Sequence, residues 1–208
     1  MLKAKKGGPV VNPKSLTVTL APAIHYRQST TNWSSQPLQP IVWEVLLEAA
    51  RRAPSSWNHQ PARYVVVDHQ QTKKRLMSVI HRGNAWAGKA PGWVVQFACP
   101  ADDDIIDGKP YYLYDCGLAM MSLIYQAQVL GLVARQMIGW DEQGVKEVLA
   151  LPKHARVVVI TALGYPPSTS FARRMTHFRR RMTQQHKRFA VAYLAAREHW
   201  GNPLCQVD

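Results

Sequence analysis

Cysteine is scarce in this chain. The three present, Cys99, Cys116 and Cys205, lie far apart, without the spacing of a metal-ligand set and with nothing that demands a disulfide. Cys99 closes an expected strand and Cys116 falls in an apolar helix, so both read as buried, inert thiols. The eight histidines include no His-x-x-x-His pair, which argues against a structural or catalytic metal. Asp102, Asp103, Asp104 and Asp107 crowd one stretch beside Gly108 and Pro110 but lack EF-hand spacing, and they read as a solvated turn. Long apolar runs are missing too. Asp115, Gln126 or Arg135 interrupts each before the roughly 20 residues that a membrane span needs. The first residues, MLKAKKGGPVVNPKS, carry lysines with no apolar core behind them, so a secretory signal is not expected and a cytoplasmic protein is the default.

Acidic residues are also few. Thirteen stand against 26 lysines and arginines, a formal net charge of +13 in 208 residues. Such a balance raises nucleic acid or an anionic surface as a partner, but the excess gathers at the ends. Residues 1–20 read as a basic arm broken by Gly7, Gly8, Pro9 and Pro13, and residues 176–208 as a basic helix and tail with Arg179, Arg180, Arg181, Lys187 and Arg188. Those cations form either a solvated helix face or a patch for an anionic partner. Between the ends, residues 21–175 are long enough for one domain with a sizeable core.

The stretch Ala49–Val67 organises that domain. Ile41, Val45, Leu46, Ala49 and Ala53 share one face of a helix that Pro54 must stop, with Glu44, Glu48 and Arg52 opposite. Ser55, Ser56, Asn58 and Gln60 then place hydroxyls and amides within six residues, and Pro61 stiffens the exit into the strand Tyr64–Val67. Short, fixed donors and acceptors of this kind suit a flat polar ligand. Further on, Asp68 opens a helix whose polar surface is Lys73, Lys74 and Arg75, and Gly92–Ala98 reads as a second strand. The longest helix, Pro110 to Gly131, is apolar on more than one side through Leu113, Cys116, Leu118, Met121, Leu123, Ile124, Ala127 and Leu130, which calls for burial on several sides. Gly131 suits its end. Asp141 can cap a short helix, and Arg156–Leu163 is β-branched enough for a buried strand.

Ala53-Pro-Ser-Ser-x-Asn-x-Gln-Pro61, followed by an aromatic residue and three valines, resembles the flavin-binding signature of the nitroreductase family of FMN flavoproteins. Other segments follow the family's order from Arg27 to Arg174. Arg27, Gln28, Ser29, Thr30, Thr31, Asn32 and Trp33 correspond to its phosphate and ribityl motif, with Gln28 and Thr31 standing where two arginines are usual. The resemblance implies an α+β fold with a central, mainly antiparallel sheet flanked by helices, in an intertwined homodimer that binds FMN between subunits. Arg27, Ser29, Arg173 and Arg174 would anchor the phosphate, with Gln28 beside them. Pro54, Ser55, Ser56, Asn58 and Gln60 would reach the ring, from the other subunit. Asn84 would either meet the pyrimidine side of the flavin or cap the next turn. Gln136, Ile138 and Gly139 would form the loop beside the flavin, where a glycine lets the main chain come close.

The activity implied is NAD(P)H-dependent reduction of small aromatic or quinone-like acceptors by ping-pong hydride transfer at FMN, with no protein group acting as catalytic base. Tyr111, Tyr112, Tyr114, Trp86 and Trp140 are candidate pocket aromatics, with core packing the alternative for most. The other reading, motivated by Gln28, Thr31 and the cationic ends, is a basic binding protein with a secondary flavin pocket.

Overall fold

Proline sits in the first turn of two helices, where its missing N–H breaks no helical hydrogen bond. Pro22 opens α1 (Pro22–His25) and Pro40 opens α2 (Pro40–Arg51). The computed structural model describes residues 20–167 and 194–199. The chain divides into two units, Met1–Ser168 and Thr169–Asp208. In the second, the main-chain N–H of His199 donates to the carbonyl of Arg197 at 2.8 Å.

The strands of the first unit are β1 (Arg63–Val67), β2 (Gly92–Ala98), β3 (Ile105–Ile106), β4 (Lys109–Pro110), β5 (Val133–Met137) and β6 (Arg156–Gly164). The central sheet has the order β1-β2-β6-β5 with every pair antiparallel, and β3–β4 is a separate hairpin. Val65 faces Val95 and Val95 faces Ile160, so the β-branched runs expected to be strands stack across the sheet.

Helices cover both faces. Successive strand residues point to opposite sides, and Val65, Val67, Trp93, Val95, Ile160 and Ala162 belong to one apolar cluster while Tyr64, Val66, Val94, Val159 and Leu163 belong to the other. The first cluster takes Leu76 from α3 (Gln70–Val79) and Val145 from α5 (Glu142–Leu149). The second takes Trp43 and Leu46 from α2 with Met120, Leu123 and Ala127 from α4 (Tyr111–Val129). Asp141 caps α5 by accepting the N–H of Gln143, and Gly131, at φ +73°, ends α4 as its position suggested.

Several local expectations are corrected. Lys73 is not on the polar surface of α3: it is buried, with Nζ donating to the carbonyls of Ala90 at 2.8 Å and Pro91 at 3.2 Å. Burial holds its ammonium below the usual lysine range. The helix starts after His69, not at Asp68. On α2 the covered face is Trp43, Leu46 and Ala50, while Ile41 is 56% and Val45 36% exposed. α4 is likewise covered on one side, leaving Leu113, Tyr114, Val129 and Leu130 open in the single chain. Cys116 is fully buried and its thiol is pushed up to about 12 by burial, but Cys99 is only half-buried. Among the described residues no helix is long and apolar enough to cross a membrane.

Candidate active site

The loop between α2 and β1 is held by its own polar groups. Ser55 Oγ accepts the N–H of Gln60 at 2.9 Å, the Ser55 carbonyl accepts that of Asn58 at 3.1 Å, and Gln60 Nε2 donates to the Asn58 carbonyl at 3.2 Å. These bonds close a turn in which Trp57 (φ +44°), Asn58 (φ +61°) and Gln60 (φ +52°) take the left-handed conformation. Each such non-glycine residue stores strain of order 1 kcal/mol, which persists only where the surroundings over-determine it. The main-chain N–H of Ser56 donates to Asp115 Oδ2 at 2.7 Å, and Ser56 Oγ donates to Asp104 Oδ2 at 3.1 Å. Both serine hydroxyls thus shape the loop. Each keeps capacity toward a ligand, Ser55 through its hydrogen and Ser56 through its lone pairs. Pro54, Ser55 and Gln60 line a cavity of about 370 Å³ that also takes in Arg51, Arg63, Tyr64 and Asp115.

A second group of the nominated residues gathers near β5. Asn84 Nδ2 donates to the carbonyl of Ile138 at 2.6 Å and to that of Gly139 at 3.3 Å. His81 N–H donates to the Gly139 carbonyl at 3.1 Å, and Asp141 N–H to that of Val79 at 2.8 Å. Gly139 has φ +94°, and a Cβ there would stand 2.9 Å from His81 Nδ1. The Nδ2 of Asn84 therefore fixes the Ile138–Gly139 main chain. Gln136 and Ile138 are exposed beside it, Ile138 at 82%.

Trp33 connects the phosphate-motif segment to this group. The segment with Arg27, Gln28 and Ser29 runs into Trp33, whose Nε1 donates to the Val133 carbonyl of β5 at 3.0 Å. Ser34 N–H donates to the Tyr165 carbonyl at 2.9 Å, just past β6. Trp33 stacks on Trp86 with ring centroids 6.0 Å apart, and the Arg135 guanidinium lies over Trp86 at 4.5 Å. Burial holds Arg135 below the usual arginine range. Arg27 and Gln28 are half-buried and Ser29 is exposed. Arg173 and Arg174 lie outside the described residues, as do the cations from Arg179 to Arg188 and the arm up to residue 19.

The loop at 54–60 and the group of Asn84, Gln136, Ile138 and Gly139 thus lie at opposite edges of one sheet. β1 and β5 are the edge strands, with β2 and β6 between them. Three strand spacings, about 14 Å, separate those edges.

Four residues escaped the sequence reading as a group: His59, Asp103, Asp104 and Asp115. Asp102 and Asp107 are exposed, as in a solvated turn, but Asp103 and Asp104 are not. The Asp103 side chain is fully enclosed, and its Oδ1 lies 3.1 Å from His59 Nδ1 and accepts the N–H of Asp104 at 2.8 Å. Asp115, 3% exposed, sits on the buried side of α4, and its carboxyl is raised above the usual range by burial first, then by the neighbouring Asp103, against the lowering effect of the Ser56 N–H. A sequence signal existed only for Asp115, a carboxylate in register with the apolar face of α4.

The nitroreductase family model matches residues 24–114 and 84–165. The chain belongs to the nitroreductase family. A protein of Thermus thermophilus named NADH dehydrogenase is 30% identical, over 70% of this chain and 85% of that protein. Among solved structures, an oxidoreductase containing FMN superposes with a TM-score of 0.72 at 26% identity, covering 88% of this chain and 93% of the other. A nitroreductase family protein from Clostridium novyi NT gives a TM-score of 0.67 at 27% identity, covering 70% and 84%. The antiparallel sheet between helical layers is the nitroreductase fold, as its sequence resemblance implied.

Proposed function

We propose that this nitroreductase-family member is an FMN-dependent NAD(P)H oxidoreductase that works as a homodimer and reduces small aromatic or quinone-like acceptors. The observation that carries the reading is the division of the site. One chain offers Asn84, Gln136, Ile138 and Gly139 at one edge of the sheet, joined through Trp33 to the segment that carries Arg27, Gln28 and Ser29, and Pro54, Ser55, Ser56, Asn58 and Gln60 at the other. A second copy brings the loop of one chain to the β5 edge of its partner, and the apolar residues left open on α2 and α4 provide surface for that association.

The chemistry of the donors fits FMN. Arg27 supplies positive charge for the phosphate; the serine hydroxyls and Asn58 supply hydrogen bonds for the ring; and Gly139, without a side chain, leaves its main chain open to close approach. Bound FMN would supply the redox step, accepting a hydride from the nicotinamide and passing it on. The protein's part is to hold the ring and keep one face open. Trp57, 86% exposed in the single chain, adds an aromatic surface to the same loop. A quinone would leave as the hydroquinone, taking up the hydride and a proton from solvent, so the chain needs no base.

Co-expression of two crippled copies tests the division. Gly139→Val damages one half-site and Asn58→Val the other. A mixed dimer of the two variants contains one site with both defects and one with neither, so flavin binding is expected to return to about half the wild-type level. No recovery in the purified mixed dimer would mean that each site is built within one chain.

A further inference from the structure

The geometry points to a divalent cation site formed by His59 Nδ1, Asp103 and Asp104, an imidazole and two carboxylates of the kind that hold Mn²⁺ or Zn²⁺. Its ligands are other residues than those proposed to hold the flavin, although His59 lies on the same loop, and the inference does not depend on that reading.

Donor spacing is the first observation. His59 Nδ1 stands 3.1 Å from Asp103 Oδ1 and 3.8 Å from Asp104 Oδ2, and the three donor atoms lie within 4.8 Å of one another. A transition-metal ion with bonds of about 2.0–2.2 Å places adjacent ligand atoms about 3 Å apart and opposite ones a little over 4 Å apart. The His59–Asp103 and His59–Asp104 separations fall within that range.

The second observation is independent of that spacing. Asp103 is wholly enclosed, and its Oδ2 has no hydrogen-bond donor among the described residues. Buried carboxylate oxygens are normally satisfied, and one left without a donor calls for positive charge. Its buried neighbour Asp115 is itself an acceptor, from Ser56 N–H, and adds negative charge. Three carboxylates therefore face one imidazole in a chain whose net charge is +13. Arg63 places Nη2 3.9 Å from the exposed Asp102 carboxylate and donates from Nη1 to the carbonyls of Gln60 and Ala62.

A cation here would bind His59 through Nδ1, in place of the hydrogen bond that joins Nδ1 to Asp103. It would also tie the loop at Ser56–Gln60 to the turn at Asp102–Asp104, since Ser56 Oγ already donates to Asp104.

The test uses the full-length protein, stripped with a chelator and titrated with Mn²⁺ while the electron paramagnetic resonance signal of the free ion is followed, with Zn²⁺ as competitor. The expected result is uptake of a single Mn²⁺ per chain at submillimolar concentration, displaced by Zn²⁺. His59→Gln and Asp104→Asn should each weaken it at least about tenfold, whereas Asp107→Asn should not. If Asp104→Asn does not fold, His59→Gln decides, because that ring is 37% exposed and its replacement is tolerated by the surroundings. No uptake by the wild type at millimolar Mn²⁺ or Zn²⁺, or uptake unchanged in the folded variants, overturns the proposal and leaves the Asp103–Asp115 pair held by a proton.

Discussion

Gly139→Val is expected to strip FMN from the purified protein, lowering flavin content per chain at least about tenfold while the far-ultraviolet circular dichroism stays that of the wild type. Two costs combine. A side chain at φ +94° leaves the favourable regions for an L-residue, at roughly 1–3 kcal/mol. Its Cβ would also meet His81 Nδ1 at 2.9 Å, so the ring or the strand end must shift. Because His81 N–H and Asn84 Nδ2 both bond to the Gly139 carbonyl, and Asn84 also to that of Ile138, such a shift moves the whole segment proposed to lie against the flavin. About 1.4 kcal/mol suffices for a tenfold loss of affinity. Gly139→Ala should lose less, having the strain and a smaller clash. Wild-type flavin content in the valine variant would remove Gly139 from the site.

Gly92→Val should have the largest effect on stability, about 3–5 kcal/mol in urea-induced unfolding, a large part of the 5–15 kcal/mol typical of a domain. Gly92 begins β2 against the indole of Trp43, and a Cβ there would stand 2.7 Å from Cη2. Trp43 is only 6% exposed and packs with Leu46, Met120 and Leu123, so it has no free space to enter. Combining Gly92→Val with Trp43→Leu should recover part of the loss, since the two positions share one volume. A midpoint unchanged by Gly92→Val would show that this part of the core is not packed as described.

Much of the fold was legible because its strongest signals are local. Gly92–Ala98 is a β-branched and aromatic run bounded by proline and cysteine, and its limits agree with β2. Asp141 and Gly131 act at helix ends through bonds that span a few residues, so their roles depend little on tertiary context. The misreadings share a different cause. α2 carries two apolar stripes, and helical periodicity cannot choose between Ile41–Val45 and Trp43–Leu46–Ala50 when no partner is known. Lys73, between a threonine and another lysine, has the pattern of a surface residue. Its burial follows from two carbonyls, at Ala90 and Pro91, that the fold returns to it from 17 and 18 residues away.

The candidate site was legible at the level of segments and hidden at the level of contacts. The order Ser55, Ser56, Asn58, Gln60 marks a loop rich in hydrogen-bonding groups. Nothing in that order says that Ser56 is held by Asp104 and Asp115, which are 48 and 59 residues away in sequence. Asn84 was open between a cap and a ligand contact, and the structure gives it the Ile138 and Gly139 carbonyls. Runs of aspartate are normally solvated, and Asp103 departs from that only because the loop at His59 and the buried side of α4 close over it.

The central claim, that this chain uses FMN to carry electrons from NAD(P)H to a small acceptor, is tested most directly by the absorbance spectrum of the purified protein during anaerobic addition of NADH or NADPH. The expected result is a yellow protein with an oxidised flavin spectrum that bleaches on addition of one of the two nucleotides and recovers when a quinone or nitroaromatic compound is added. A colourless protein whose absorbance and fluorescence do not change when FMN is titrated in would contradict it.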